Sequence, residues 1–308
     1  MPSLSSALFP LLPSLFTLFA PHLLSGRLFS SGSSSQPPRS LQACPNAKLS
    51  SSKAKLLLLH PSNMSDSPLS RLQVAIVGSG NVATHLLKAL APHAEVTAVN
   101  PRTLAGWCPG FDVALIAVSD SAIAEVASSL PAYGGILTHT SGSVPMSVLS
   151  PYSQHPAVFY PLQTFSRDRS LDYSRIPFFI EAAHPTDADT LTQLASQISH
   201  TVIPADSETR RRLHVASVLT CNFTNHLVHL ADTFLKDNGL DSSVLLPLLH
   251  ETVAKLDDLT PLRAQTGPAI RGDSATIESH LALLDPYPTT QTIYRILSDS
   301  IYNTYHHE

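Results

Sequence analysis

Polar side chains set along one apolar stretch are the first candidates for chemistry in this 308-residue chain. Drawn as a helix at roughly 100° per residue, His214, Ser217, Cys221 and Asn225 fall within about an 80° arc, with Asn222 at its flank. Leu213, Val215, Val218, Leu219, Phe223 and Leu227 surround them. A polar stripe on such a helix must face water or line a cleft. In a cleft, His214 can act as general acid toward an oxygen or nitrogen, and Asn222 can hold a substrate or orient the imidazole. A lone histidine in this setting otherwise reads as a satisfied structural residue.

A second group binds rather than reacts. The β-branched run ending at Val77 breaks into Gly78-Ser79-Gly80 and then into a helical pattern from Asn81. Strand, glycine turn and helix in that order form a phosphate-gripping corner, because a helix start offers unpaired N–H groups and a positive dipole end. Gly78 permits the tight turn, Gly80 lets backbone approach a diphosphate, and Ala83 lets the helix lie close on the strand. Ser79, Asn81 and Val82 complete the corner. At the end of the second strand, about 20 residues past the first glycine, an acid would hold a ribose 2′-hydroxyl. Asn100 stands there instead, followed by Pro101 and Arg102. A neutral amide and an arginine suit a 2′-phosphate, which favours NADP(H) over NAD(H), although Arg102 also reads as an ordinary loop arginine. The same triplet counts against an S-adenosylmethionine-dependent methyltransferase, which also uses a glycine turn.

Ligands of open α/β sheets bind at the carboxyl ends of the strands. Two loops there should border the same ligand, Val118-Ser119-Asp120-Ser121 and His139-Thr140-Ser141-Gly142. Asp120 or Ser121 reads equally well as a helix cap. A Ser-His-Asp hydrolase is set aside, since the chain has no G-x-S-x-G elbow. Farther on, the loop Gln265–Asp273 offers Arg271 for an anionic group, while Asp273 reads as the cap of the helix that follows. Arg210-Arg211-Arg212 reads as a solvated helix start, with one arginine facing the cofactor as the alternative.

The elements that must position these groups alternate from Leu72 onward. Strands are expected over Val74–Val77, Glu95–Val99, Asp112–Val118, Gly135–Thr138, Val158–Tyr160, Pro177–Glu181 and Thr201–Ile203. Helices are expected over Val82–Leu90, Ser121–Leu130 and Asp187–Ser199. This is the pattern of a doubly wound parallel sheet. After Asp206 only helices are expected, over Glu208–Asn238, Ser242–Leu256, Ala275–Leu284 and Gln291–Tyr302. The organisation is therefore a leader over 1–65, a dinucleotide-binding domain over 70–206 and a helical domain over 207–308.

The leader differs in composition. It has no Asp or Glu, 16 Ser, 8 Pro and 5 basic residues, and the first acid is Asp66. Prolines at 10, 13 and 21 argue against a membrane span over Leu8–Leu24, and no Lys or Arg precedes that stretch as a secretory signal would need. An organelle transit peptide fits, as does an untranslated segment ahead of Met64-Ser65-Asp66; either way, disorder is expected. Beyond residue 65, 14 basic residues face 23 acidic ones, and no basic patch interleaved with aromatics suggests nucleic acid. Cys44, Cys108 and Cys221 are too scattered for a disulfide framework or a zinc site. No metal is expected, and the compartment is a reducing one, the cytoplasm or, with a genuine transit peptide, an organelle matrix.

Five motifs together resemble a known family: Val-Gly-Ser-Gly-Asn-Val-Ala, His139-Thr-Ser-Gly, Tyr160-Pro-Leu-Gln-Thr-Phe165, His214 through Phe223, and Thr266-Gly-Pro-Ala-Ile-Arg-Gly-Asp273. They look like a bacterial family that pairs a Rossmann-like domain with a helical domain of unknown function. That family is similar to pyrroline-5-carboxylate reductase, ketopantoate reductase and the 6-phosphogluconate dehydrogenase group. The resemblance spans Leu72 to the C-terminus and implies NADP(H) binding and a helical domain that forms homodimers. It names no substrate. The Lys-x-x-x-Asn pair of the relatives is missing, since His214 and Asn222 stand eight apart, so their acid catalysis does not transfer directly. The expected function is an NADP(H)-dependent oxidoreductase moving hydride between nicotinamide and a carbonyl or imine of a small substrate, an anionic one if Arg271 binds it. His214, Asn222, His139 and Arg271 are the catalytic candidates. A non-catalytic NADP(H)-binding sensor or partner-binding protein is the alternative.

Overall fold

The computed structural model describes residues 72–306; the leader expected over 1–65 lies outside them. Seven strands form one sheet in the order β2-β1-β3-β4-β5-β6-β7, with β1 at Gln73–Val77, β2 at Glu95–Val99 and β3 at Val113–Ile116. β4 is Ile136–His139, β5 Pro156–Pro161, β6 Phe178–Ala182 and β7 Val202–Pro204. Strands β1 to β5 run parallel. Their residues are apolar with few breaks because helices cover both faces. Along β1 the side chains alternate: Val74 and Ile76 enter one core with Leu86 and Leu90, while Ala75 and Val77 enter another with Ile116 and Ile123.

The expectation of a wholly parallel sheet needs one correction. β6 lies antiparallel to β5, pairing Ala157 with Ala182 and Pro161 with Phe178. A parallel return needs a crossover of a dozen or more residues, usually a helix. The 162–177 connection contains only a short 3-10 turn at Tyr173–Arg175, so the chain comes back beside the strand it left. Helix α3 (Pro185–Ser196) does supply a crossover, and β7 is accordingly parallel to β6.

Helix α1 (Asn81–Leu90) follows β1, and α2 (Ile123–Ser129) follows β3. The last strand ends at Pro204, and six helices follow: α4 (Ser207–Ser217), α5 (Thr224–Asp237), α6 (Leu246–Asp258), α7 (Pro261–Ala264), α8 (Ser274–Leu283) and α9 (Pro288–His306). Asp206 caps α4 by accepting from the Thr209 amide at 2.7 Å, and Asp273 caps α8 by accepting from the Thr276 amide at 3.1 Å. The long helix expected over 208–238 is α4 and α5 joined by a π-helical turn, Val218–Phe223. Among the described residues no helix is long and apolar enough to cross a membrane.

Strand order reverses between β1 and β3, and the crevice at that switch point is where such sheets bind ligands. Gly78 sits at its base with φ +154°, and a Cβ built there would lie 2.2 Å from the Ala117 carbonyl oxygen. The tight turn is thus required by the backbone of the neighbouring strand. Gly78→Ala is expected to lower stability by about 3 kcal/mol, read as a lower urea midpoint with an unchanged m-value.

Candidate active site

A cleft of about 910 Å³ opens over this crevice, between the carboxyl ends of the strands and the α4–α5 helix. Its first wall is the glycine corner. Ser79, Gly80, Asn81 and Val82 line it, and a Cβ on Gly80 would meet nothing within 4 Å, so the α1 N-terminus faces open space. No side chain among the described residues caps that terminus, which leaves its N–H groups available to an anion. The corner is braced from outside. Asn81 Nδ2 donates to the Phe165 carbonyl at 2.8 Å, and Arg167 donates to the Ser79 carbonyl at 2.6 Å. At the β2 end, Asn100 Oδ1 accepts the amides of Arg102 and Thr103 at 2.9 and 3.2 Å, which shapes the loop whose Pro101 reaches the cleft.

The floor consists of Ala117, Val118, Ser119 and Thr140. Asp120 does not cap α2. Its carboxylate instead accepts from the Ser143 hydroxyl and ties the 118–121 loop to the 139–144 loop. His139 is fully buried beneath the surface; its Nδ1 accepts the Ser141 amide at 3.2 Å, while Nε2 has no partner among the described residues. Burial, and next the nearby Arg210 guanidinium, press its pKa from 6.5 down to about 4, so it stays neutral.

The facing wall comes from the long helix. Leu213, His214, Ser217, Thr220, Cys221 and Asn222 line it, whereas Asn225 does not. The π-helical turn explains the difference. Bonds of the i→i+5 type advance fewer degrees per residue, so Asn222 swings into the His214 stripe and Asn225 lags out of it. Between the walls stands Tyr160, at the end of β5, with its hydroxyl 3.4 Å from His214 Nδ1. Burial raises its pKa, with Ser217 and Arg210 pulling the other way, so the phenol keeps its proton. Gly142 makes the contact possible, since a Cβ there would stand 2.6 Å from the Tyr160 ring and 3.0 Å from His214 Nδ1.

The cleft thus gathers Ser79, Gly80, Asn81, Val82, Val118, Ser119, Thr140, His214 and Asn222 from the expected set. Gly78, Asn100, Arg102, His139 and Ser141 lie behind or beside its lining, and Arg271 sits in a separate 3-10 turn, Ala269–Arg271, ahead of α8. Sequence reasoning named Tyr160 only as a member of a family motif, without a role in the site, and did not single out Arg167. The strand-end rule that singled out Val118 and His139 also applied to the end of β5, and would have found Tyr160. The reading of residues 210–212 as solvated fails for Arg210, which is wholly buried, though Arg212 does pair with Glu208 at the surface.

A family match covers residues 176–301 and carries the description Domain of unknown function (DUF2520). Among curated proteins nothing matches. Among solved structures, the chain is similar to a Bacteroides fragilis protein provisionally described as an NADP oxidoreductase, at 38% identity and a TM-score of 0.71, over 76% of this chain and 99% of that one. Protein TM1727 of Thermotoga maritima shares 19% identity, with a TM-score of 0.64 over 75% and 99% of the two chains. A reductive aminase from Aspergillus terreus, in complex with NADPH and ethyl levulinate, shares 13%, with a TM-score of 0.56 over 76% and 93%. At these lower identities the likeness is one of fold.

The depressed pKa of His139 has a consequence for stability. Its neutral form is favoured in the folded state, so its contribution is complete above pH 6.5 and is lost as pH falls toward about 4. The stability advantage of the wild type over His139→Asn, whose Oδ1 can still accept the Ser141 amide, should shrink by up to about 3 kcal/mol across that window. Urea titrations from pH 7 to pH 4 read it. The Asp206 and Asp273 caps, whose carboxyls the hydroxyl and amide donors of Thr209 and Thr276 hold below 3.8, keep their full contribution across this window and lose it only at lower pH.

Proposed function

The chain belongs to the same family as the Bacteroides fragilis protein and carries the DUF2520 domain, and on that premise we propose that it is an NADP(H)-dependent reductase of a carbonyl or imine. The observation that carries this reading is the opposition of two walls across one cleft, a free helix N-terminus on one side and the Tyr160–His214 pair on the other. The residues present fit the cofactor. The amides at Gly80, Asn81 and Val82 would hold the diphosphate, with Arg167 beside it, and Arg102 would take the 2′-phosphate where an acid would repel it. Thr140 and Ser119 would border the nicotinamide. A bound nicotinamide supplies the hydride.

The chain's own residues supply position and a proton. Tyr160 occupies His214 Nδ1 in either protonation state, donating to the neutral ring or accepting from the charged one. Either way Nε2–H is left for the substrate. His214 would deliver that proton to the oxygen or nitrogen of the reduced bond, and Asn222 would hold the same group. The apolar walls, Val118, Leu162, Phe165 and Leu213, exclude water from the reacting pair. None of the lining residues is Lys, Arg, Asp or Glu. That lining suits an uncharged carbonyl or a neutral imine better than the anionic substrate that Arg271 suggested. Cys108 and Cys221 are free thiols, in keeping with a cytoplasmic location.

The helical part would complete itself with a second copy. Of the residues in α4 to α9, only Arg210, Leu281 and Ser298 are buried. Val215, Leu219, Phe223 and Leu227 form an exposed stripe four apart along the long helix. An apolar groove of about 600 Å³ among Phe234, Leu283, Ile293 and Leu297 adds to it. Exposed apolar surface on this scale marks an interface, and the self-complementary arrangement of a homodimer would cover it.

Three measurements test these readings. Fluorescence titration should give tighter binding of NADPH than NADH, with Arg102→Ala weakening NADPH about tenfold and leaving NADH alone. On a panel of ketones and imines, His214→Ala should cut kcat about 100-fold and Tyr160→Phe less, with NADPH affinity unchanged; cofactor binding without turnover on any member would favour a sensor. Light scattering should give the mass of a dimer, reduced to a monomer by Leu219→Glu with Phe223→Glu.

A further inference from the structure

At the edge of the sheet where the parallel strands begin, away from the cleft, the antiparallel pairing of β5 and β6 sets two histidines opposite each other. Ala157 pairs with Ala182, and the Ala183 amide donates to the Pro156 carbonyl at 3.1 Å, so the next cross-strand position faces His155 with His184. Their ring centroids are 5.0 Å apart. His184 is also the residue at the start of α3, and three positions later Asp187 turns its carboxylate back toward the pair. Asp187 is 6% exposed, and its Oδ2 lies 2.9 Å from His155 Nδ1. One ligand atom from each of the three side chains lies within 4.8 Å of the other two.

We propose that His155, His184 and Asp187 bind a divalent first-row transition ion such as Zn²⁺. Two imidazoles and one carboxylate form a nitrogen-rich donor set that suits Zn²⁺ or Co²⁺, whereas Mg²⁺ and Ca²⁺ require oxygen ligands. Bonds of about 2.0–2.2 Å put ligand atoms roughly 3.4 Å apart; His155 Nδ1 and Asp187 Oδ2, at 2.9 Å, already lie within that, and a small adjustment of the exposed His184 would bring in the third. The outer contacts fit as well. His184 Nε2 lies 2.9 Å from the Gln154 carbonyl, and a proton donated there leaves Nδ1 as the lone-pair nitrogen, the usual second-shell arrangement for a ligating histidine. The ion would displace the proton now shared between His155 Nδ1 and Asp187 Oδ2. A fourth position would remain for water. Lying at the edge opposite the cleft, the ion would fasten the entry of β5 to the start of α3, and its role would be stability rather than turnover.

The test uses untagged, metal-stripped full-length protein and the metals alone. Titration with Co²⁺ should give visible absorption bands that saturate at about one equivalent, and excess Zn²⁺ should raise Tm by roughly 5 °C. Asp187→Asn and His184→Ala should each abolish both responses while NADPH binding stays as in the wild type, which separates this proposal from the one above. Changing the paired helix histidines, His226→Ala with His229→Ala, should leave both responses intact. Absent bands with the wild type, or bands that survive Asp187→Asn and His184→Ala, would overturn the site. His184 is exposed and caps no amide with its side chain, so that variant should fold whatever the fate of Asp187→Asn.

Discussion

The buried guanidinium of Arg210 holds the two halves of the cleft in register. It is fully inaccessible to solvent, and its Nη2 lies 2.7 Å from Glu181 Oε2 on β6. Nη1 donates to the Ser141 carbonyl at 2.7 Å and to the Val144 carbonyl at 3.2 Å, and the Ser207 hydroxyl lies 3.0 Å from Nη2. Taking a cation out of water costs several kcal/mol, and only a complete set of partners offsets that cost. The fork geometry of arginine supplies one donor for each of those partners, which a lysine could not do. One side chain therefore joins the end of the sheet, the loop after β4 and the first helix beyond the sheet. Whatever position α4 takes, the 141–144 loop takes with it.

That coupling reaches the chemistry through Gly142. The glycine lies between the two carbonyl-bonded residues of the loop and packs under Tyr160 and His214. The separation of the Tyr160 hydroxyl from His214 is thus set by a loop that Arg210 holds in place. The same positive charge helps keep His139 neutral beneath the floor. A charged His139 would add an unpaired cation beside the buried arginine in an apolar interior, so its neutrality is a condition of the loop's stability.

Local features of the sequence were legible because their causes are local. The glycine corner, the buried strands and the Asp273 cap each depend on neighbours a few residues away. Arg210 was not legible, because Glu181 and Ser141 stand 29 and 69 positions from it, and nothing in an Arg-Arg-Arg run distinguishes the residue that turns inward. The direction of β6 was readable in principle from the missing helix between Pro161 and Phe178. Asn225 failed to join the stripe for a subtler reason. A uniform helical period was assumed across Val218–Phe223, where the backbone takes a π-helical turn.

That turn also bears on what the cleft can bind. It brings Asn222 onto the same line as His214, and with Ser217, Thr220 and Tyr160 the facing walls offer hydrogen-bonding groups but no formal charge. An uncharged polar lining in a largely apolar cleft cannot offset the desolvation of a substrate carboxylate, which would need a paired cation. Under the proposed function it would hold a single neutral carbonyl or C=N group, which needs one donor at the heteroatom and little else. On that reading, selectivity would come from where that donor sits relative to the glycine corner. Both positions trace back to the same buried arginine and the strand order that opens the crevice.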